Sequence, residues 1–276
     1  MQRTVHPAHS SCPRETTVNQ HSSSTDLMAE DLTEGVRTLT LLNGRAHPLS
    51  SAMIAALHAA LHRAADDPET RVLLITAPGH IFCAGHDLKE IAQHRLDADR
   101  GKAFLTTLFT ACAEMMLTLA RFPKPTIAMV DGIATAAGLQ LAASCDLRFV
   151  STAATFCLPG VNNGGFCTTP AVGVSRAISR NHTMELALSG EALGADWATR
   201  SGLATRLYAP MDLHRDTLAF AMKLATRNPG PIAAGKVALD AHLGLSLEDA
   251  YALATPVMID HFMDEGRLTR EAARLF

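Results

Sequence analysis

Apolar residues alternate along the chain between short β-rich runs and stretches with helical spacing. From Val36 to Leu42 a β-rich run comes first; after Ser50, the residues Met53, Ile54, Leu57, Ala60, Leu61 and Ala64 then recur at the spacing of one helix face. That predicts a strand followed by an amphipathic helix. Asp66, Asp67 and Pro68 break the helix, and Arg71 to Thr76 reads as a second strand that runs into a loop at Pro78 and Gly79. The same grammar returns with a strand over Thr126 to Val130, a glycine-containing turn and an alanine-rich helix from about Thr135 to Ala143. Strand-like runs follow at Leu147 to Val150 and Thr155 to Leu158. Beyond Pro170 the pattern is nearly all helical: Met184 to Leu188, Trp197 to Arg200, Leu213 to Arg227, Ile232 to Leu243 and Leu247 to Met263. The expectation is an α/β core with a helical C-terminal region.

Length adds a domain division. The 276 residues suit one α/β domain with appendages, divided as a flexible extension (1–30), a core (31–205) and a C-terminal helical region (206–276). Residues 1–30 are rich in Ser, Thr, His and Gln and lack the apolar centre of a secretory signal. Arg3 and Arg14 suit a transit peptide, but Glu15, Asp26 and the missing amphipathic period do not support one. A hydrophobic fraction of 47%, a charged fraction of 18% and a net charge of -3 exclude polybasic recruitment of nucleic acid or anionic lipid. Asp131, Gly132 and Gln140 interrupt the apolar stretch from Pro125 to Ser144, so no membrane span is expected. Cys12, Cys83, Cys112, Cys145, Cys157 and Cys167 have no paired short spacing. They read as reduced thiols of a cytoplasmic protein, without a disulfide framework or zinc site. The thirteen histidines show no metal-ligand spacing and read as mostly surface residues.

Two loops concentrate the candidate chemistry. The first, Ile81-Phe82-Cys83-Ala84-Gly85-His86-Asp87-Leu88-Lys89-Glu90, follows a predicted strand and opens a helix. Asp87 and Glu90 are spaced as a capping box, each side chain satisfying a free backbone N–H. Gly85 permits a tight turn that leaves the N–H of His86 pointing outward near the positive end of the helix. The second loop, Asp131-Gly132-Ile133-Ala134-Thr135-Ala136-Ala137-Gly138-Leu139-Gln140, is also delivered by a strand and also opens a helix. Two such helix starts converging on one point would cradle a carbonyl becoming an enolate, although either loop alone reads equally well as tight packing.

The runs FCAGHDLKE and MVDGIATAAGLQLAASCDLRF, followed by ATFCLPGV, resemble in order and spacing the signature regions of the crotonase (enoyl-CoA hydratase/isomerase) superfamily. The resemblance covers about Val36 to Arg227. The variants GHDLKE, ATAAG and VNNGGFCTTP are most similar to its divergent subgroup of enoyl-CoA hydratase domain-containing protein 3. It implies a spiral core of ββα turns whose C-terminal helices build a homotrimer or homohexamer. It also implies acyl-CoA or enoyl-CoA thioester substrates and no resident cofactor, CoA being part of the substrate. Carried over position by position, the backbone N–H groups of His86 and Ala137 are the oxyanion hole, and Ala84, His86, Asp87, Leu88, Lys89 and Ala137 line the substrate site.

The departures limit what the resemblance implies. Gln140 and Gly160 stand where hydratases carry their two glutamates, and neither an amide nor a hydrogen can deprotonate the attacking water or protonate Cα. Substitute candidates at the thioester end are His86, Asn162, Asn163, Cys167, Thr168 and Thr169, with Cys157 and Asp131 further off. His86 could exchange protons near neutral pH, or its ring could face solvent or the CoA diphosphate. Cys167 reads first as a small buried apolar residue, Asn162 and Asn163 as turn formers, and Asp146 as a structural carboxylate. The resemblance leaves open whether a neighbouring subunit's Lys236 reaches the CoA phosphates. Three readings remain: an acyl-CoA enzyme of the hydratase/isomerase kind with an altered site, a non-catalytic acyl-CoA binder or regulator, and a structural trimer.

Overall fold

The computed structural model describes residues 27–274. A hairpin comes first, β1 (Met28–Thr33) antiparallel to β2 (Val36–Leu41). Its turn residues Glu34 and Gly35 both have positive φ, 47° and 78°, the signs of a type I′ hairpin turn. β1 shows no apolar alternation because all but its first residue are exposed on the sheet edge, and Glu34-Gly35 is the one sequence signal for it. Residues 28–30 are therefore strand and are corrected out of the extension; residues 1–26 lie outside the described residues.

Three strand–strand–helix units follow. Helix α1 (Ser51–Asp66) leads in, its first turn capped by Ser50 Oγ, which accepts from the Met53 N–H. The first unit is β3 (Val72–Thr76), β4 (Ile81–Cys83), α2 (Leu88–Gln93) and α3 (Lys102–Ala120). The second is β5 (Thr126–Val130), β6 (Ile133–Thr135) and α4 (Ala137–Ala143). The third is β7 (Leu147–Ser151), β8 (Thr155–Cys157), a 3₁₀ turn at Pro159–Asn163 and α5 (Thr168–Ala177). After α6 (Arg180–Ser189), the short β9 (Leu193–Gly194) and α7 (Ala195–Ser201), the chain returns as β10 (Arg206–Tyr208) and α8 (Pro210–Ala225). The last helices are α9 (Pro229–His242), α10 (Leu247–Phe262) and α11 (Glu265–Ala272).

Each unit gives one strand to a six-stranded sheet, order β1-β2-β3-β5-β7-β10, and one to a four-stranded sheet, order β4-β6-β8-β9. From β2 to β10 the large sheet is parallel, and so is β4-β6-β8. This is the expected ββα spiral. All five residues of β5 are buried, as a parallel strand covered on both faces requires. One face packs on α1 and α3; the other takes Leu213, Ala221 and Ala225 of α8 against Val72, Ile127 and Phe149.

That packing corrects the division at residue 206. β10 is a strand of the large sheet and α8 a layer of the core, so the helices that leave the core start at α9. An added Cβ at Gly35 would lie 2.9 Å from Arg71 Cγ and 3.3 Å from Ala225 Cβ, and Arg71 Nη2 donates to the Arg227 carbonyl at 2.8 Å. The first hairpin thus closes against the end of α8. α9 is fastened by Lys236 Nζ, which donates to the Lys124 carbonyl (2.8 Å) and to Asp146 Oδ2 (2.6 Å). No residue of α10 is buried, and α9 and α10 expose Val237, Leu239, Leu247 and Tyr251.

Helix α3 has no counterpart in the hydrophobic pattern described above. By length and composition it alone among the described residues could cross a bilayer. Here Leu108, Cys112, Met115, Met116 and Leu119 dock it along one side of the core.

Candidate functional site

Strand β4 carries the chain to Gly85 and His86. The Leu49 N–H donates to the Gly85 carbonyl (2.7 Å) and the Asp87 N–H to the Leu49 carbonyl (3.4 Å), an isolated parallel bridge. In that pattern the intervening residue turns its own N–H away, and the His86 N–H has no acceptor among the described residues. Gly85 makes the turn at φ 85°.

The next residue, Asp87, is the N-cap of α2, its Oδ1 accepting from the N–H groups of Lys89 (2.9 Å) and Glu90 (3.3 Å). The other half of the expected capping box is absent. Glu90 Oε2 instead accepts from the Ser51 N–H at 2.9 Å, at the start of α1. The bridge already occupies the Asp87 N–H, so the glutamate satisfies an orphan donor of a neighbouring helix.

Small residues in the second loop permit close approach to the first. An added Cβ would lie 2.2 Å from the His80 carbonyl oxygen at Gly132 and 2.1 Å from the Cys83 carbonyl oxygen at Gly138. At Gly85 it would meet Ala136 Cβ (3.0 Å), the Ala137 nitrogen (3.1 Å) and the Thr135 oxygen (3.2 Å). Ala136 itself is held at φ 50°, ψ −123°, a left-handed conformation that strains a residue with a side chain. Its N–H donates to the Cys157 carbonyl (3.0 Å) and its carbonyl accepts from the Gln140 N–H (3.1 Å). Ala137, the first residue of α4, is buried, and its N–H also lacks an acceptor among the described residues, as the first turn of a helix dictates. Two unpaired main-chain donors therefore flank one another on adjacent loops.

Gln140 sits one turn further along α4 and is only 6% exposed, its Cγ against Gly173. Gly160 lies in the 3₁₀ turn, where its N–H donates to Cys167 Sγ (3.2 Å) and its carbonyl accepts from the Gly165 N–H (3.0 Å). It does not have a positive φ; what makes it glycine is space. An added Cβ would lie 2.7 Å from the Cys167 nitrogen and 2.8 Å from the Phe166 carbonyl carbon.

Among the substitute candidates, the structure assigns several to packing. The His86 ring stands edge-on to Phe109 (4.9 Å) with Nδ1 buried and unpartnered, so it faces α3 rather than solvent, and burial holds its pKa below the ordinary imidazole value. Burial raises the thiols of Cys167 and Cys157 above their ordinary value and pushes Cys83 up to about 12 and Cys112 up to about 11, which disfavours the nucleophilic thiolate at each. Asn162 Nδ2 donates to the Gly190 carbonyl (2.9 Å), which uses it as a loop tie. Asp146 Oδ2 accepts from the Thr126 N–H (2.7 Å) and from Lys236, so both charges are spent within the fold. Asn163, Thr168 and Thr169 are exposed, as are Leu88 and Lys89, whereas Ala84 and Asp87 are half-buried. His47, contrary to a surface reading, is buried and bonded through Nε2 to the Pro78 carbonyl (3.1 Å).

Beside His86 a cleft of about 470 Å³ opens along α3, lined by Phe109, Leu105, Lys102, Arg100, Asp99 and Arg95 among others. None of these residues was singled out by motif. The helical spacing of Leu105, Leu108, Phe109 and Cys112 is the sequence signal that would have found the helix.

The profile of the enoyl-CoA hydratase/isomerase family matches residues 31–269. The rat protein named enoyl-CoA hydratase domain-containing protein 3, mitochondrial, is 37% identical over 229 residues, covering 83% of this chain and 75% of the rat one. Among solved structures, an enoyl-CoA hydratase/isomerase family protein from Silicibacter pomeroyi superposes with a TM-score of 0.82 at 57% identity, covering 86% of this chain and all of that one. Human enoyl Coenzyme A hydratase domain-containing protein 3 superposes with a TM-score of 0.84 at 33% identity, covering 91% and 97%. The cytoplasmic expectation is corrected by these names, since the rat protein and its vertebrate counterparts are all named mitochondrial. Reduced, scattered thiols report a reducing compartment without saying which one.

Proposed function

This chain belongs to the enoyl-CoA hydratase/isomerase family, and from that premise we propose that it binds acyl-CoA thioesters and hydrates enoyl thioesters weakly or not at all. The observation that carries the reading is the pair of unpaired N–H groups of His86 and Ala137, brought together where Gly85 packs on the Ala136–Ala137 peptide. Two preorganised donors in a water-poor site stabilise the negative charge that a thioester oxygen acquires as its Cα becomes enolate-like. Because both donors belong to the main chain, the alanine at 137 serves as well as any residue. Exposed Leu88 and Lys89 and the neighbouring Ala84 and Asp87 would form the wall for the CoA portion, which enters as substrate rather than as a resident cofactor. Asp87 would act there through its main chain, since its carboxylate is engaged in capping.

Hydration also needs a base for the water and an acid for Cα, each contributing about 10²-fold to 10⁴-fold. At the positions that would supply them stand the amide of Gln140 and the hydrogen of Gly160. The space beyond Gly160 is filled by Phe166 and Cys167, burial raises the Cys167 thiol above its ordinary value, and the His86 ring packs on Phe109. That crowding favours, as a second reading, a non-catalytic thioester binder. For either reading a homotrimer or homohexamer is proposed, built over the apolar side chains that α9 and α10 expose.

Calorimetry and thermal melting with crotonyl-CoA test the reading. A ligand confined to the folded state stabilises it by about 2.7 kcal/mol at a hundred times its Kd. Gly85→Ala, which adds a methyl group between the loops, should weaken crotonyl-CoA at least about tenfold while circular dichroism stays native. Undiminished affinity in that variant would remove the two-donor assignment, and no melting shift with any CoA thioester would remove thioester binding altogether.

A further inference from the structure

We propose that the acyl end of this site takes a chain carrying a terminal carboxylate. The inference rests on the thioester reading above and adds the chemistry of the chain. The His86 ring touches Phe109, and the cleft that starts there runs along one stripe of α3, from Phe109 past Leu105 to Lys102. Seven residues of helix separate Phe109 from Lys102, about 10 Å at 1.5 Å per residue, so the cleft reaches as far as an extended acyl chain of roughly six to eight carbons.

Its two ends differ in kind. Near His86 the lining is Phe109 and Leu105 with the uncharged Thr106 and Thr110 beside them; at the far end stand Arg95, Arg100 and Lys102. The one carboxylate in the lining, Asp99, is turned to the backbone. It accepts from the N–H groups of Gly101 (2.9 Å) and Ala103 (2.7 Å), which hold its pKa below the usual carboxylate value. None of the three cations has an ion-pair partner among the described residues; Arg95 donates only to the Arg100 carbonyl, at 2.9 Å. Three cations against one committed carboxylate, at the end of an uncharged track that holds Leu105 and Phe109, fit an alkyl chain that ends in an anion. A purely hydrocarbon chain of the same length would strip water from them without offering a partner. Long, flexible Arg and Lys side chains on an open rim can close on a carboxylate at more than one chain length.

The competing source of an anion is the phosphates of CoA itself, and the test separates the two. Calorimetry compares octanedioyl-CoA, octanoyl-CoA and free CoA on the full chain and on the variant Arg100→Asn/Lys102→Gln. Asparagine is chosen because Arg100 has φ 58°, a conformation asparagine adopts readily. The wild type should bind octanedioyl-CoA roughly threefold to tenfold more tightly than octanoyl-CoA, the scale of a few solvent-screened charge pairs, and lose the preference in high salt. In the variant the ratio should fall to about one. Equal affinities in the wild type overturn the proposal while leaving thioester binding intact. A variant that weakens free CoA as much as octanedioyl-CoA also overturns it, assigning the cations to the phosphates. Failure of all three ligands to bind would strike the thioester reading itself.

Discussion

In the proposed thioester site, the loops that carry His86 and Ala137 and the positions of Gln140 and Gly160 would depend on sequence in opposite ways. On the donor side the functional atoms would be the unpaired main-chain N–H groups of His86 and Ala137. The residue types that matter there are those that let two backbones touch, Gly85, Gly132 and Gly138, and an alanine at 137 keeps its N–H free. On the proposed proton-transfer side the function would reside in side chains, and no packing device replaces a carboxylate. Backbone-built chemistry thus tolerates substitution wherever volume is kept, whereas side-chain chemistry is lost in one step.

The largest expected effect strikes the donor side through volume. Gly138→Ala would place a methyl carbon 2.1 Å from the Cys83 carbonyl oxygen, and overpacking of that kind should cost about 3 kcal/mol. The melting temperature should then fall by roughly 6–12 °C. A melting curve that barely moves would mean that the loops part freely and that their closeness is no constraint.

Side-chain chemistry is probed by restoring it. Gln140→Glu should raise crotonyl-CoA hydration by up to about 10²-fold. Gly160→Glu should add nothing, because its Cβ meets the Cys167 nitrogen at 2.7 Å and the 160–167 turn must move to admit it. Loss of enoyl absorbance at equal enzyme concentration is the readout. If the double variant exceeds the product of the singles, the turn yields, and the two positions still address one water.

The smallest effect sharpens the comparison by its sign. Alanine to glycine ordinarily destabilises a folded chain. At Ala136, held at φ 50° and ψ −123°, Ala136→Gly should instead stabilise by about 1 kcal/mol, raising the melting temperature by roughly 2–4 °C. A lower melting temperature would show that the alanine sits there without strain.

Much of this was readable from the residues. Apolar periodicity placed α1, β3, β5, β7 and the helices from α8 to α10 within a few residues; α1, α8 and the strands bury the faces so marked, whereas α9 and α10 leave theirs largely exposed. It did not place β1, whose Met-Ala-Glu-Asp-Leu-Thr run is exposed, nor β10, too short to show alternation. Both donor loops were legible because glycine and alanine at fixed spacing report close approach. Three relations were not: Glu90 serving Ser51, Gly160 yielding to Cys167, and Phe109 beside His86. Each joins residues seven or more apart through a three-dimensional contact that no local pattern encodes.

The contact of Gly35 with Ala225 bears on how the chain is made. Strands β2, β3, β5, β7 and β10 lie in the sheet in the order in which they are synthesised, so each can dock on its predecessor as it emerges from the ribosome. The opening hairpin, however, waits for Ala225 to cover Gly35 and for Arg227 to receive Arg71. At about 5–20 residues per second, that leaves the apolar face of β2 and β3 uncovered for roughly ten to forty seconds on every nascent chain.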